Sequence, residues 1–276
     1  MGDARPAFLM CPPDLYEVDY VINPWMEGNV HHSSRERAAQ QWQELHNALR
    51  QAADVLLVNP QPGSPDMVFT ANAGLVRDGI VALSSFHHVE RQGEEPHFRK
   101  WFTDSGFAIR EIPRATAFEG EGDALFDSNG QRLWAGHGLR TRAASHRFLN
   151  ETWDVEVLSL GLVDPRFYHL DTCFCPLSNG DVMYYPPAFD EPSRALIEAH
   201  YRKPNRIIVE EADAVRFACN AVNVDRMLLL NEISAQLCAE LEGRGFSVVQ
   251  IQLSEFLKAG GAAKCLVLRL SKPAVN

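Results

Sequence analysis

At 276 residues, 46% of them hydrophobic, the chain can bury a large core and needs no covalent staples. Its formal net charge of -10, with no basic run, argues against a nucleic-acid partner. No apolar run approaches the roughly 18 residues of a membrane span, and nothing at the N-terminus reads as a signal peptide. The expectation is a cytoplasmic chain without a membrane partner. Its six cysteines form no Cys-x-x-Cys pair and are expected to stay reduced there.

Residues Ala7 to Cys11 predict a short apolar strand that Pro12-Pro13 must stop. Val18 to Pro24 predicts a second strand. It ends at Asn23-Pro24-Trp25, a turn signal that makes Asn23 a turn former first and a substrate contact second. From Ser34 to Ala52 the spacing of Ala38, Trp42, Leu45 and Leu49 is helical, with Ser33 or Ser34 as N-cap. Val55 to Val58 reads as a buried strand, closed by Asn59-Pro60-Gln61-Pro62-Gly63.

From there one order repeats. Asp66-Met67-Val68-Phe69-Thr70-Ala71-Asn72 is followed by a strand at Ile80 to Leu83 and a helix from about Pro96 to Ser105. A strand at Ala108 to Ile112 leads to Phe118-Glu119-Gly120-Glu121-Gly122-Asp123, a strand at Arg132 to Ala135, Arg140-Thr141, and a helix through Phe148. The third unit has Val155 to Leu160, Tyr168-His169-Leu170-Asp171, Val182 to Tyr185, and a helix from Ser193 to His200. The fourth has Ile207 to Val209, the segment around Asn220, Met227 to Leu230, and a helix from Ser234 to Glu242. The last has Ser247 to Ile251, a short helix near Glu255, and Gly260-Gly261-Ala262-Ala263-Lys264-Cys265 running into Leu266-Val267-Leu268.

Polar-tipped strands thus recur near 72, 123, 169, 220 and 265, 45 to 51 residues apart. Five such units suggest a single domain over 1–276, closed into a ring with the polar tips gathered at the middle. The plainer alternative is a mixed α/β domain whose spacing is accidental. Cys173-Phe174-Cys175 alternates like a strand, which argues against a four-ligand zinc site.

The chemistry concentrates at two of these tips. A Gly-Gly turn leaves Cys265 uncrowded at the mouth of an apolar strand. His169 and Asp171, two apart on an extended segment, would face one side. Thiol, imidazole and carboxylate are the parts of nucleophilic catalysis on a cationic substrate. A buried structural cysteine and a core histidine are the bland readings of the same residues.

The order Phe69-Thr70-Ala71-Asn72, Phe118-Glu119-Gly120-Glu121-Gly122-Asp123, Arg140-Thr141, His169-Leu170-Asp171 and Gly260-Gly261-x-x-x-Cys265 resembles the guanidino-group-modifying enzymes, the pentein superfamily. That family includes arginine deiminase, dimethylarginine dimethylaminohydrolase, amidinotransferases and arginine dihydrolases. The resemblance covers essentially the whole chain. It implies an α/β fold, a five-bladed α/β propeller of pseudo-fivefold ββαβ-type repeats, with the guanidinium in the central channel. Met10-Cys11-Pro12-Pro13 and Asp19 to Met26 look most like the catalytic half of the cyanobacterial arginine dihydrolases, without the second enzymatic domain of those fusions.

What the resemblance implies about roles is specific. Cys265 is the expected nucleophile, His169 the proton shuttle, and Glu119 the carboxylate that contacts the guanidinium and orients the histidine. Glu121, where the family often has a small residue, competes with Glu119 for the face toward substrate. Asp171 would accept guanidinium N–H groups, or else pin its own loop. Arg140 would bind the substrate α-carboxylate. Arg91 is a second candidate for that task, with a surface ion pair as its alternative. Asp66 and Asp123 either serve the substrate or cap turns. Asn72 stands where deiminases and dimethylarginine hydrolases carry Asp. An amide can bond a guanidinium N–H or a ureido oxygen, so citrulline could be held for a second attack.

The expected function is therefore arginine dihydrolase, giving ornithine, carbon dioxide and two ammonia from L-arginine or a derivative, with no cofactor and no metal. A one-step deiminase or dimethylarginine hydrolase releasing citrulline is the alternative, with an amidinotransferase or a non-catalytic pentein behind it. A homo-oligomer stays open.

Overall fold

The computed structural model describes residues 5–271, so the extreme ends of the expected 1–276 unit lie outside the described residues. Among them, fifteen strands pair into five separate three-stranded sheets. Their ranges are β1 Ala7–Met10, β2 Asp54–Leu57, β3 Gly74–Arg77, β4 Ile80–Leu83, β5 Ala108–Glu111, β6 Ala124–Phe126, β7 Arg132–His137, β8 Glu156–Gly161, β9 Phe174–Pro176, β10 Val182–Tyr184, β11 Arg206–Ile208, β12 Val222–Val224, β13 Met227–Leu230, β14 Ser247–Gln250 and β15 Leu268–Leu270.

The five sheets share one plan. The first two strands of each run antiparallel, as in β3–β4 and β6–β7, and the third lies parallel to the second, as in β4–β5 and β7–β8. A parallel neighbour needs a crossover. Glu95–Asp104, Ala144–Trp153, Glu191–His200 and Ala235–Gly243 supply it in four sheets. In the fifth, Arg35–Ala52 joins β1 to β2, and the first strand comes from the other end of the chain, β15. The helices begin where side chains cap them: Ser34 accepts from Arg37 N, Asp190 from Ser193 N and Ser234 from Leu237 N. Helix Arg35–Ala52 buries Ala38, Trp42, Leu45 and Leu49, the apolar stripe of its sequence. The outcome is a mixed α/β fold. No sheet closes on itself.

Several expectations need correction. Val18 to Pro24 is not a strand. Its Val18 N–H goes to the Ser33 hydroxyl and Asn23 instead caps the short 3-10 helix Pro24–Met26. Strand β2 is half-exposed at the edge of its sheet, with Leu57 46% exposed, and not buried on both faces. The recurring polar tips are turns that feed strands. Thr70–Ala73, Gly120–Gly122 and Leu170–Thr172 are single 3-10 turns ahead of β3, β6 and β9. The turns closed by Asn220 N to Phe217 O and Val267 N to Lys264 O precede β12 and β15. Cys265 therefore sits in a turn three residues before its strand, and His169 and Asp171 share no extended segment. No helix among the described residues is long and apolar enough to cross a membrane.

Candidate active site

Tight turns can carry polar side chains inward because few of their backbone groups are held in a ladder, provided something else satisfies the remainder. Here one turn satisfies the next. Ala71 N donates to Cys265 O, Leu170 N to Asp123 Oδ1, and Cys265 N to Asn220 Oδ1. The glycines permit the close approach. Gly260 has φ +81, and a Cβ there would lie 2.7 Å from the Tyr168 hydroxyl. A Cβ on Gly122 would lie 2.3 Å from Asn72 Nδ2.

The product is a narrow pocket lined by Asn23, Asp66, Asn72, Arg91, Arg140, Tyr168, His169 and Cys265. Glu119 lies directly behind His169, fully buried, and its Oε2 bonds His169 Nε2 at 2.7 Å and accepts from Arg140 Nη1 at 3.1 Å. Its Oε1 accepts from His87 N at 3.1 Å. Burial pushes Glu119 up, but the Arg140 charge and the His169 bond outweigh it and hold the carboxyl well below its usual range. With Nε2 on that carboxylate, Nδ1 is the ring nitrogen left to exchange a proton with a bound group. Glu121 goes the other way. It pairs with Lys264 Nζ at 2.6 Å, behind the pocket.

Cys265 is 3% exposed and held on three sides. Asn220 Nδ2 donates to its sulfur at 3.1 Å, Asn220 Oδ1 accepts its backbone N–H at 3.1 Å, and Asp171 Oδ2 lies 3.6 Å from Sγ. Burial first, and Asp171 second, push the thiol well above its usual value. Asp171 is itself raised to about 7 by burial, against the pull of Lys264. Burial thus favours a neutral thiol beside the Asp171 carboxyl.

Asp123 ties its neighbours together. It takes the Thr141 hydroxyl at 2.7 Å and Leu170 N at 3.0 Å, and burial raises it to about 6. Arg91 is no surface ion pair. It is 3% exposed, grips Glu94 through Nε and Nη2 at 2.8 Å each, and donates from Nη1 to Asn72 Oδ1 at 2.8 Å. The other end of the Asn72 amide donates to the Glu119 carbonyl at 3.3 Å. Arg140 stacks on Tyr168, 4.6 Å from the ring centroid, and donates to Ile22 O at 2.9 Å. Asp66 is 2% exposed. Its Oδ2 accepts from the Tyr20 hydroxyl at 2.9 Å, while its Oδ1 is a buried oxygen without a partner. Asn23 accepts Trp25 N at 2.9 Å and donates to Ala259 O at 3.0 Å while lining the pocket.

The structure thus brings together Cys265, Asp171, His169, Glu119, Asn72, Arg140, Arg91, Asp66 and Asn23. It adds Asn220, Glu94 and Tyr168, which the sequence reading did not assign. Asn220 occupies the fourth of the five recurring turns, one repeat on from His169. The Arg91-x-x-Glu94 spacing is that of an i,i+3 pair.

The chain matches the family described as N,N dimethylarginine dimethylhydrolase, eukaryotic, over residues 18–272. It is 58% identical over 265 residues to the bifunctional arginine dihydrolase/ornithine cyclodeaminase ArgZ of Synechocystis sp. This covers 96% of the chain, which spans 38% of that relative's length. It is 38% identical over 264 residues to N(G),N(G)-dimethylarginine dimethylaminohydrolase of Mycobacterium tuberculosis, covering 95% of the chain and 85% of the relative. Among solved structures, the N-terminal domain of ArgZ bound to its substrate, described as an arginine dihydrolase from cyanobacteria, superposes with a TM-score of 0.96. That pair is 57% identical over 98% of this chain and 100% of the other.

Proposed function

This chain belongs to the N,N dimethylarginine dimethylhydrolase family, and on that premise we propose that it is an arginine dihydrolase. It would convert L-arginine and two waters to ornithine, carbon dioxide and two ammonia. The observation that carries the reading is the convergence of Cys265 and His169 on one pocket that Asn72 also lines, with Glu119 bonded behind the histidine and Asp171 beside the sulfur.

A thiol that burial keeps neutral suits a reaction that the substrate itself starts. A guanidinium entering beside Asp171 takes over the carboxylate's hydrogen bonds and sets a positive charge next to Sγ, which favours the thiolate. Asn220 Nδ2 then donates to the charged sulfur. The thiolate adds to the guanidinium carbon, His169 protonates the departing ammonia, and an S-alkylthiouronium remains. His169, poised by anionic Glu119, deprotonates the water that resolves it to citrulline. A second attack by Cys265 on the ureido carbon releases the second ammonia. Hydrolysis of the resulting thiocarbamate leaves a carbamate that loses carbon dioxide. Arg140 and Arg91 hold the α-carboxylate end, and the unpartnered Asp66 Oδ1 suits an ammonium there.

We also take 1–276 as one catalytic unit, with the five sheets standing as propeller blades around the pocket. Their common plan and the turn-to-turn hydrogen bonds support that arrangement. Six free cysteines favour a reducing, cytoplasmic setting.

A one-step deimination is the second reading. It is favoured by the two bonds that already occupy Asn72, to Arg91 and to the Glu119 carbonyl, since they use its oxygen and weaken its hold on citrulline to at most one remaining amide N–H. Mass-spectrometric analysis of products from free arginine decides between them. Ornithine with twice its amount of ammonia is expected. Citrulline as the end product would replace dihydrolase by deiminase.

A further inference from the structure

Lys264 immediately precedes the proposed nucleophile but faces the other way. Cys265 lines the narrow pocket, whereas Lys264 lines a second cavity of about 530 Å³ behind it. Asp171 stands between the two. Its carboxylate lies 3.6 Å from Cys265 Sγ, and it shares the wall of the rear cavity with Lys264. Lys264 is only 9% exposed. Its ammonium donates to Glu121 Oε2 at 2.6 Å and to the Val267 carbonyl at 3.3 Å. Glu121 also accepts the Arg269 N–H at 2.9 Å, so the pair is tied to both the Gly120–Gly122 turn and β15. A charge held in place and mostly buried is only partly screened by solvent and so acts on a buried neighbour.

We propose that Lys264, opposed by Glu121, is a positioning residue that sets the charge of Asp171 from behind the active site and thereby its grip on a cationic substrate. The proposal rests on Asp171 being the guanidinium acceptor. The groups that face Asp171 are Lys264 and Glu121 from the rear, Cys265 and Asn220 from the front, and Cys173 and Cys175 along its own segment. Lys264 is the one cation among them. Burial lifts Asp171 to about 7, Lys264 works against that rise and Glu121 adds to it. A carboxyl so raised is ionised only above that pH, so binding through Asp171 fades as pH falls through about 7. Removing the Lys264 charge moves this limb to higher pH. Removing the Glu121 charge moves it to lower pH.

The test is the pH dependence of kcat/KM for arginine consumption in Lys264→Met, Lys264→Arg and Glu121→Gln. Lys264→Met should move the acid limb up by about one unit, a roughly tenfold loss near neutral pH that recovers in alkali. Lys264→Arg should restore the parental profile, and Glu121→Gln should move the limb down. A merely structural tie would cost both variants activity alike, without dependence on pH; that result, or shifts of the same sign, overturns the proposal. Alkylation of Cys265 supplies a readout without turnover. Chloroacetamidine, a cation, and chloroacetamide, which is neutral, both need the thiolate, but only the cation needs a charged Asp171. Their rate ratio should shift with pH in the same opposed directions, and an unmoved ratio sinks the role of Lys264. If the chain leaves arginine untouched, the dihydrolase reading fails while this ratio still decides. Should Lys264→Met not fold, Glu121→Gln carries the sign of the effect alone.

Discussion

Two buried arginine–glutamate pairs flank the pocket, and they are assembled differently. Glu94 gives both oxygens to Arg91 at 2.8 Å, and burial lifts it to about 7. Glu119 divides its oxygens among Arg140, His169 and the His87 N–H, and is held well below the carboxylate range. Both carboxylates are out of water, so the number and charge of their donors decide the difference. The closed pair is a strut, from which Arg91 reaches Asn72 Oδ1 and the Asp66 carbonyl. The open pair is a fixed negative charge beside an imidazole that can change its own.

Glu119→Gln should break the open pair with the largest effect on chemistry. An amide cannot stabilise a protonated His169, and losing that proton transfer costs about 10² to 10⁴ in kcat. Pre-steady-state ammonia release would measure it. A Gln variant within threefold of the parent would remove Glu119 from the proton path.

Glu94→Gln should act the other way round, mainly on stability. It leaves a buried guanidinium without its bidentate partner, at a cost of about 3–5 kcal/mol, moderated by the Asp66 carboxylate 3.9 Å from Arg91 Nε. Chemical denaturation reports this directly. If Glu94→Gln keeps its stability yet loses kcat as Glu119→Gln does, the distinction between strut and working pair collapses.

That distinction was only half legible in the sequence. The repeat of turn, strand and helix was readable because every unit repeats it, and it placed Asn72, Asp123, His169, Asn220 and Cys265 at equivalent positions. The turns were misread as strand tips, since a single 3-10 turn flanked by Phe, Ala and Leu carries no period of its own. Val18 to Pro24 failed similarly: Val, Tyr and Ile favour a strand, but the Ser33 hydroxyl takes Val18 N–H and Asn23 caps a 3-10 turn in place of a ladder. Arg140 was found through motif likeness, and Arg91 has its partner Glu94 three residues on, but other partners that define the site lie far along the chain. Ile22 O is 118 residues from Arg140, and Asn220 meets Cys265 across 45. Such contacts leave no spacing to read.

The smallest effect, and the one closest to the product question, concerns Asn72→Asp, where the two pairs meet. Asn72 Oδ1 accepts from Arg91 of the strut, and its Nδ2 donates to the carbonyl of Glu119 from the working pair. A carboxylate would keep and strengthen the first bond, so part of its charge is spoken for by Arg91 and initial arginine binding should survive. Its second oxygen, however, would face the Glu119 carbonyl and any ureido oxygen of bound citrulline. Acceptor against acceptor in a buried site costs about 1–3 kcal/mol. Even the low end shifts the partition between citrulline release and second attack several-fold. We therefore expect early product mixtures in which the parent yields mainly ornithine and Asn72→Asp accumulates citrulline. Mass spectrometry of single time courses would settle it. If the variant delivers ornithine without a citrulline phase, the amide of Asn72 serves only to join Arg91 to Glu119, and commitment to the second hydrolysis must come from elsewhere in the pocket.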